Sequence, residues 1–288
     1  HQIGYQEVLL DDPVFEKAYL LENPKKIDII AIPDGCVDLQ FTWESNVCRG
    51  YVCGSFLQGK KSLISSCCRC FGLKLQPGIH FKFLKQDVAS LVGNRIPLSE
   101  FLDTGSFEQE LGEMPDFLSM VEATRRFFYR QQTVPIHIIA NCVAKLIVNS
   151  PGTLKVSDMT STLGYSQRYI SNIFKCHFGL SLKKYSDIIR AQTAITYLEY
   201  TDIMDVIVDL GYYDQPHFIH DFKQYTSMTP SSFLIRYAAA RLAWSSRDWM
   251  ICPLFTIFLF PQMIQCGQVN EACLKKFLKT QTIMNRKD

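Results

Sequence analysis

The chain has 288 residues, of which 47% are hydrophobic and 20% charged. These are ordinary values for a globular protein and exclude a disordered or collagen-like chain. Its 30 basic and 28 acidic groups leave a net charge of +2, so composition neither requires nor excludes a nucleic-acid partner. At roughly 100–200 residues per domain, the length suggests two domains.

In residues 1–110 the dominant period is two. Ile27, Ile29 and Ile32 approximate it, and Val37, Leu39 and Phe41 alternate with Asp38, Gln40 and Thr42. Leu73 and Leu75 alternate with Lys74 and Gln76, and Ile79, Phe81 and Phe83 continue the pattern. Such alternation predicts half-buried strands. Pro33-Asp34-Gly35 and Pro77-Gly78 read as turns, because proline presets φ and glycine accepts a positive one. The fold class expected is α+β: a β-rich barrel or sandwich-like N-terminal domain with flanking helices, over residues 1–130, followed by an all-α domain over 136–238.

From Asp87 the pattern turns helical. Phe117, Val121, Thr124 and Phe128 mark one face of a helix over Asp116–Tyr129, and Gln131–Pro135 reads as a linker. Ile138, Ile139, Cys142, Val143, Leu146 and Ile147 form an amphipathic stripe, closed by Asn149-Ser150-Pro151-Gly152.

The most informative feature is an internal near-repeat. Leu163-Gly164-Tyr165 precedes Ser166–Lys175, and Leu210-Gly211-Tyr212 precedes Tyr213–Lys223, with one extra residue in the second turn. Each unit reads helix, glycine turn, helix. Gly164 lies where a left-handed C-terminal cap belongs, and Ser166 is placed to cap the next helix. Asp214 caps the corresponding helix of the second unit, with Pro216 in its first turn. Ile170, Ile173 and Phe174 face inward in one unit, Phe218 and Phe222 in the other. Arg168, Tyr169, Ser171, Asn172 and Lys175 are left outward in the first, and Gln215, His217, His220 and Lys223 in the second; with Ser166, Asp214 and Pro216 these are the candidate DNA-binding residues. This is helix-turn-helix grammar. In such units the second helix enters the major groove, arginine bridging guanine and asparagine or glutamine bridging adenine. Leu182–Tyr200 reads as one linking helix, about 25–30 Å long, close to the ~34 Å recurrence of the groove.

These residues resemble the AraC/XylS-type transcription regulators over about Ile138–Tyr237. The resemblance is carried by the doubled Leu-Gly-Tyr turn, Phe174-Lys175 with Gly179, Arg190, and Phe222-Lys223 with Met228-Thr229-Pro230. It implies DNA contact by the helices matching Ser166–Lys175 and Asp214–Lys223. The positions most like base readers are Arg168, Ser171 and Asn172, then Gln215, Pro216, His217 and His220. The chain departs from the family at Thr160 and Ile207, where alanine is usual, and at Ser227, which replaces a glycine. Ile32–Leu39, with residues 72–78 and 94–101, resembles an uncharacterised domain often found ahead of such modules. Front domains of this family bind an effector, dimerise, or do both.

Charge ranks the two units. Residues 155–190 hold Lys155, Arg168, Lys175, Lys183, Lys184 and Arg190 against Asp158 and Asp187. Residues 191–236 hold Lys223 and Arg236 against Glu199, Asp202, Asp205, Asp209, Asp214 and Asp221. The first unit is therefore expected to dominate attraction to phosphate.

Other chemistry is less well supported by the residues. Cys48, Cys53, Cys67, Cys68 and Cys70 offer a thiol- or metal-based sensor, or an alkyl-accepting repair regulator, as the alternative; their spacing fits no standard pair. His217 and His220 lie three apart as metal ligands do, without an evident third ligand, and Cys176-His177 is a poor catalytic pair. Gly54 and Gly59-Lys60 overlap a phosphate-loop spacing, but Lys61 stands where serine or threonine is required. Asp34 and Asp38 read as turn formers. No enzyme, cofactor or metal is expected. The expected partner is double-stranded DNA, with RNA polymerase, a small-molecule effector and a second copy of the chain as further candidates. The longest apolar run, Met250–Phe260, is broken by Pro253 and is short of the ~20 residues of a membrane helix. Asp11, Asp12 and Pro13 stand where a signal peptide needs an apolar core. A cytoplasmic location with free thiols is expected. Residues 239–288 read as an atypical tail of weak order.

Overall fold

The computed structural model describes residues 4–22, 30–61, 69–84, 88–151 and 153–243. The expectations at Ile27, Ile29, Cys67, Cys68 and Gly152, and for the tail from residue 244, fall outside them.

The N-terminal part is built on strands β1 (Gly4–Leu9), β2 (Phe15–Glu22), β4 (Asp38–Glu44), β5 (Val47–Cys53), β7 (Arg69–Leu75) and β9 (Arg95–Pro97). They form a six-stranded sheet of order β1-β2-β7-β4-β5-β9, antiparallel at every pairing. Ser45 and Asn46, both at positive φ, make the two-residue turn between β4 and β5, the geometry that matches the strands' own twist. Two small ribbons accompany the sheet. One pairs β3 (Ile30–Ala31) with β6 (Lys60–Lys61). The other pairs β8 (His80–Phe81) with β10 (Thr133–Val134).

The alternation in the sequence selects the core face. Ala18, Leu20, Leu39, Phe41, Val52, Phe71 and Leu73 pack against α2 (Phe107–Glu113) and α3 (Phe117–Tyr129) through Phe107, Leu111, Met120 and Phe128. Asp116 caps α3, its side chain accepting from the Ser119 N–H. Asp12 joins the loop before β2 to α3: its carboxylate accepts from the Val14 and Phe15 amides and from the Arg125 guanidinium at 2.8 Å.

The opposite sheet face differs from a simple half-buried sheet. Lys17 and Lys74, on adjacent strands, are 2% and 6% exposed. Lys74 pairs with Asp34, and Lys17 with Glu7 at 3.2 Å. Burial pushes the Glu16 carboxyl up, and among the described residues neither of its oxygens has a hydrogen-bond partner.

The C-terminal part is helical: α4 (Ile138–Asn149), α5 (Val156–Leu163), α6 (Gln167–Phe178), α7 (Leu182–Tyr197), α8 (Ile203–Asp209), α9 (Gln215–Thr226) and α10 (Pro230–Ala243). Val143, Ile147, Met159, Ile170, Phe174 and Ile188 form one apolar cluster. Ala194, Ile195, Val206, Phe218, Phe222 and Phe233 form a second. Helix α7 contributes to both, so one rigid element carries the two units. It ends at Tyr197 rather than Tyr200; the chain leaves it in a turn closed by the Thr201 N–H on the Tyr197 carbonyl. The segment after Asp87 is less helical than its composition predicts. Helix α1 covers only Val88–Leu91, and β9 follows; three residues are too few for alternation to register.

Candidate nucleic-acid interface

Each unit is set by local chemistry. Helix α5 ends at Gly164, whose φ of 71° lies in the left-handed region and whose N–H donates to the Thr160 carbonyl at 3.0 Å. Helix α8 ends in a Schellman motif. There the Tyr212 N–H donates to Ile207 and the Gly211 N–H to Val208. Ser166 accepts from the Tyr169 amide and Asp214 from the His217 amide. The second turn holds one more residue than the first. Tyr212 there is buried, whereas Tyr165, its counterpart, is exposed and stacks on Tyr169 at 5.1 Å.

The second helices present the faces that the periodicity assigns. Ser166, Arg168, Tyr169, Asn172 and Lys175 are exposed, and Ser171 is half-buried. Asp214, Gln215, Pro216, His217, His220 and Lys223 are exposed. Ile170 and Phe174 are fully buried beneath the first set, Phe218 and Phe222 beneath the second. Ser166 and Asp214 have their side-chain oxygens engaged as caps. His217 and His220 lie 3.5 Å from the Asp221 carboxylate.

Arg190 of α7 joins the second unit to the linker. Its guanidinium reaches Asp221 at 2.9 Å and Asp187 at 3.3 Å, and lies over the Tyr212 ring. Lys184 donates to the Tyr225 hydroxyl at 2.9 Å, and burial pushes its ammonium down. Arg190 and Lys184 are thus engaged within the protein. Lys155, Arg168, Lys175 and Lys183 stay exposed, so the first unit keeps its cationic excess.

The chemistry weighed elsewhere meets different surroundings. Cys36, Cys48, Cys53 and Cys70 are buried. Burial pushes the thiols of Cys48 and Cys53 up to about 12, whereas a reactive thiol needs the opposite shift. Cys53 donates to the Gln40 side-chain oxygen at 3.2 Å. Among the described residues no group of three or more His, Cys, Asp or Glu side chains is arranged to hold a metal ion. None of their helices is long and apolar enough to cross a membrane. The Gly59 N–H, at the phosphate-loop spacing, donates to the Gln224 carbonyl. Asp34 does form the turn, its side chain accepting from the Cys36 N–H at 3.0 Å, and it also pairs with Lys74 of the sheet's charged face; Asp38 instead opens strand β4 on that face and accepts from the Tyr19 hydroxyl at 3.2 Å. Alternation places charged residues on that face but carries no sign of what covers it.

A family model described as a helix-turn-helix domain matches residues 159–236. Over 82 residues the chain is 30% identical to an uncharacterised HTH-type transcriptional regulator, YtdP, of Bacillus subtilis. That match covers 28% of this chain and 11% of YtdP, so the chain spans about a tenth of the relative's length. Among solved structures, the C-terminal domain of AraT, a response regulator from Geobacillus stearothermophilus, aligns with a TM-score of 0.34 and 21% identity, over 36% of this chain and 88% of that one. ToxT from Vibrio cholerae aligns with a TM-score of 0.40 and 13% identity, over 81% of this chain and 97% of its own. The doubled units, their capped turns and the family match agree: residues 159–236 form a helix-turn-helix domain.

Proposed function

We propose that the chain is a sequence-specific, DNA-binding transcription regulator whose N-terminal part controls a C-terminal double helix-turn-helix domain. The observation that carries this reading is the pairing of two capped units on one linker helix, each with an apolar face buried and a polar face exposed on its second helix. Helix α7 has 16 residues and is about 24 Å long, a scale that suits entry into successive turns of the major groove. In this reading Arg168 takes guanine through O6 and N7, Asn172 and Gln215 take adenine, and Lys175 and Lys223 hold phosphates. His217 and His220 contact the duplex at the second site, and Ser171 and Tyr169 line the first. The working boundaries are 1–130 for the controlling domain and 136–238 for the DNA-binding domain.

Control requires a site whose occupancy is felt by both parts. A pocket of about 350 Å³ lies between them, lined by Gln76 and Ile79 on one side and by Asn141, Lys145 and Tyr185 on the other. Its size is within the range of small-molecule sites. A small-molecule effector there acts by favouring one arrangement of the two parts. The test is selection of bound sites from random DNA by the full chain, with a salt titration beside it. Enrichment of a bipartite sequence supports the reading. Binding that is equally tight to all sequences and falls steeply with salt is the signature of phosphate contact alone and overturns it.

A further inference from the structure

The N-terminal part does more than abut the helix-turn-helix domain; it supplies part of the second unit's interior. Ile32, just beyond strand β3, is 8% exposed and belongs to the cluster of Ala194, Ile195, Val206, Ile207 and Phe218, with Ile30 packed on its edge. The buried Gln192 side-chain amide of α7 donates to the Pro33 carbonyl. Strand β3 pairs with β6, and the residue before β6 completes the grip. The Gly59 N–H donates to the Gln224 carbonyl at 2.9 Å, and the Ser227 hydroxyl donates to the Gly59 carbonyl at 2.7 Å. The approach is close enough that a Cβ on Gly59 would lie 2.4 Å from the Tyr225 carbonyl oxygen.

This accounts for a departure noted in the sequence. The turn after α6 uses Gly179 at φ 69°, but the equivalent turn after α9 uses Ser227 at φ 60°. A serine is strained in that region, and its hydroxyl is the group that binds the ribbon. At the root of the ribbon, Asp34 is paired with Lys74 of the main sheet. A second front element, the Pro77-Gly78 turn, seats on Phe178 at the end of α6.

We propose that the β3–β6 ribbon is an intramolecular clamp that completes the second unit's core and fixes its position relative to the first. This rests on the DNA-binding reading only for its functional consequence, the separation of the two base-reading faces. The clamp makes the second unit dependent on the front part, whereas the first unit has its own core through α4.

Hydrogen exchange on the full chain without DNA tests it, in wild type, Ile32→Ala and Ser227→Gly. Glycine eases the left-handed backbone while removing the tether, so an acceleration of exchange cannot come from backbone strain introduced by the substitution. Both variants should speed amide exchange in α8 and α9 by about tenfold, as loss of local stabilisation does. Rates in α5, α6 and the six-stranded sheet should stay at wild-type values. Unchanged rates in α8 and α9 for Ile32→Ala, or equal acceleration in α5 and α6, overturn the clamp. With a selected DNA site, both variants should tolerate spacer changes of one or two base pairs that wild type rejects; identical spacing tolerance overturns its role in separating the faces. A wild-type chain that selects no sequence removes the DNA reading, and the exchange rates still decide the clamp.

Discussion

Arg168 and Asp38 show how differently two charged residues are used. Arg168 is exposed on α6, the second residue of a helix capped by Ser166, and in the proposed reading its guanidinium makes the bidentate contact with guanine. Arg168→Ala is expected to weaken binding to the selected site by about 1–3 kcal/mol and relax preference at one base pair; a competition titration returning wild-type affinity contradicts that role. Asp38 lies on the sheet's charged face with one carboxylate oxygen enclosed and unpartnered. Its carboxyl is raised to about 7, first by desolvation and then by the like charge of Asp34, with Lys74 opposing. In the unfolded chain an aspartate titrates near 4. Between these values the folded state holds a proton that the unfolded state has released, so this group's contribution to stability falls as pH rises through about 4 to 7. An asparagine in its place would keep an oxygen for the Tyr19 hydroxyl without the enclosed charge. Asp38→Asn is therefore expected to raise unfolding stability at pH 8 by about 1–3 kcal/mol, the scale of an uncompensated buried polar group, and to change it little at pH 4. Denaturant melts showing the same difference at both pH values would refute this.

At the scale of elements, what was legible in the sequence was the chemistry that acts over a few residues. Gly164 in a left-handed cap, Ser166 and Asp214 as caps, and Pro216 in a first turn each follow from neighbours within four positions. Gly164 isolates one such effect. Among the described residues, apart from its chain neighbours, no atom lies within 4 Å of where its Cβ would be, so Gly164→Ala is penalised by backbone conformation alone. An expected loss of about 1–2 kcal/mol follows, checked by thermal melting, and an unchanged midpoint would show that the turn relaxes. The contacts that escaped the sequence are long-range. Pro33 meets Gln192, and Gly59 meets Ser227, across separations that leave no periodic trace. Ile32 reads as part of a two-residue strand period with Ile27 and Ile29, although it completes a helical core. The pairing of Lys74 with Asp34 was hidden for a related reason: alternation assigns a residue to a face and says nothing of what covers that face.

For the whole molecule, the two units are alike in architecture and unlike in charge. Lys155, Arg168, Lys175 and Lys183 stay exposed in the first half. In the second, Asp202, Asp205, Asp209 and Asp214 are exposed around Lys223 and Arg236. Arg190 offsets Asp221 from within. In the proposed reading the first unit therefore anchors to phosphate and the second adds discrimination at lower electrostatic gain. The central claim is that both units engage one duplex together, and hydroxyl-radical footprinting of the full chain on its selected site addresses it most directly. The account predicts two protected patches on the same face of the DNA, about 10–10.5 base pairs apart, with the patch assigned to α6 surviving to higher salt. A single patch that Arg168→Ala abolishes and Gln215→Ala leaves intact would contradict it.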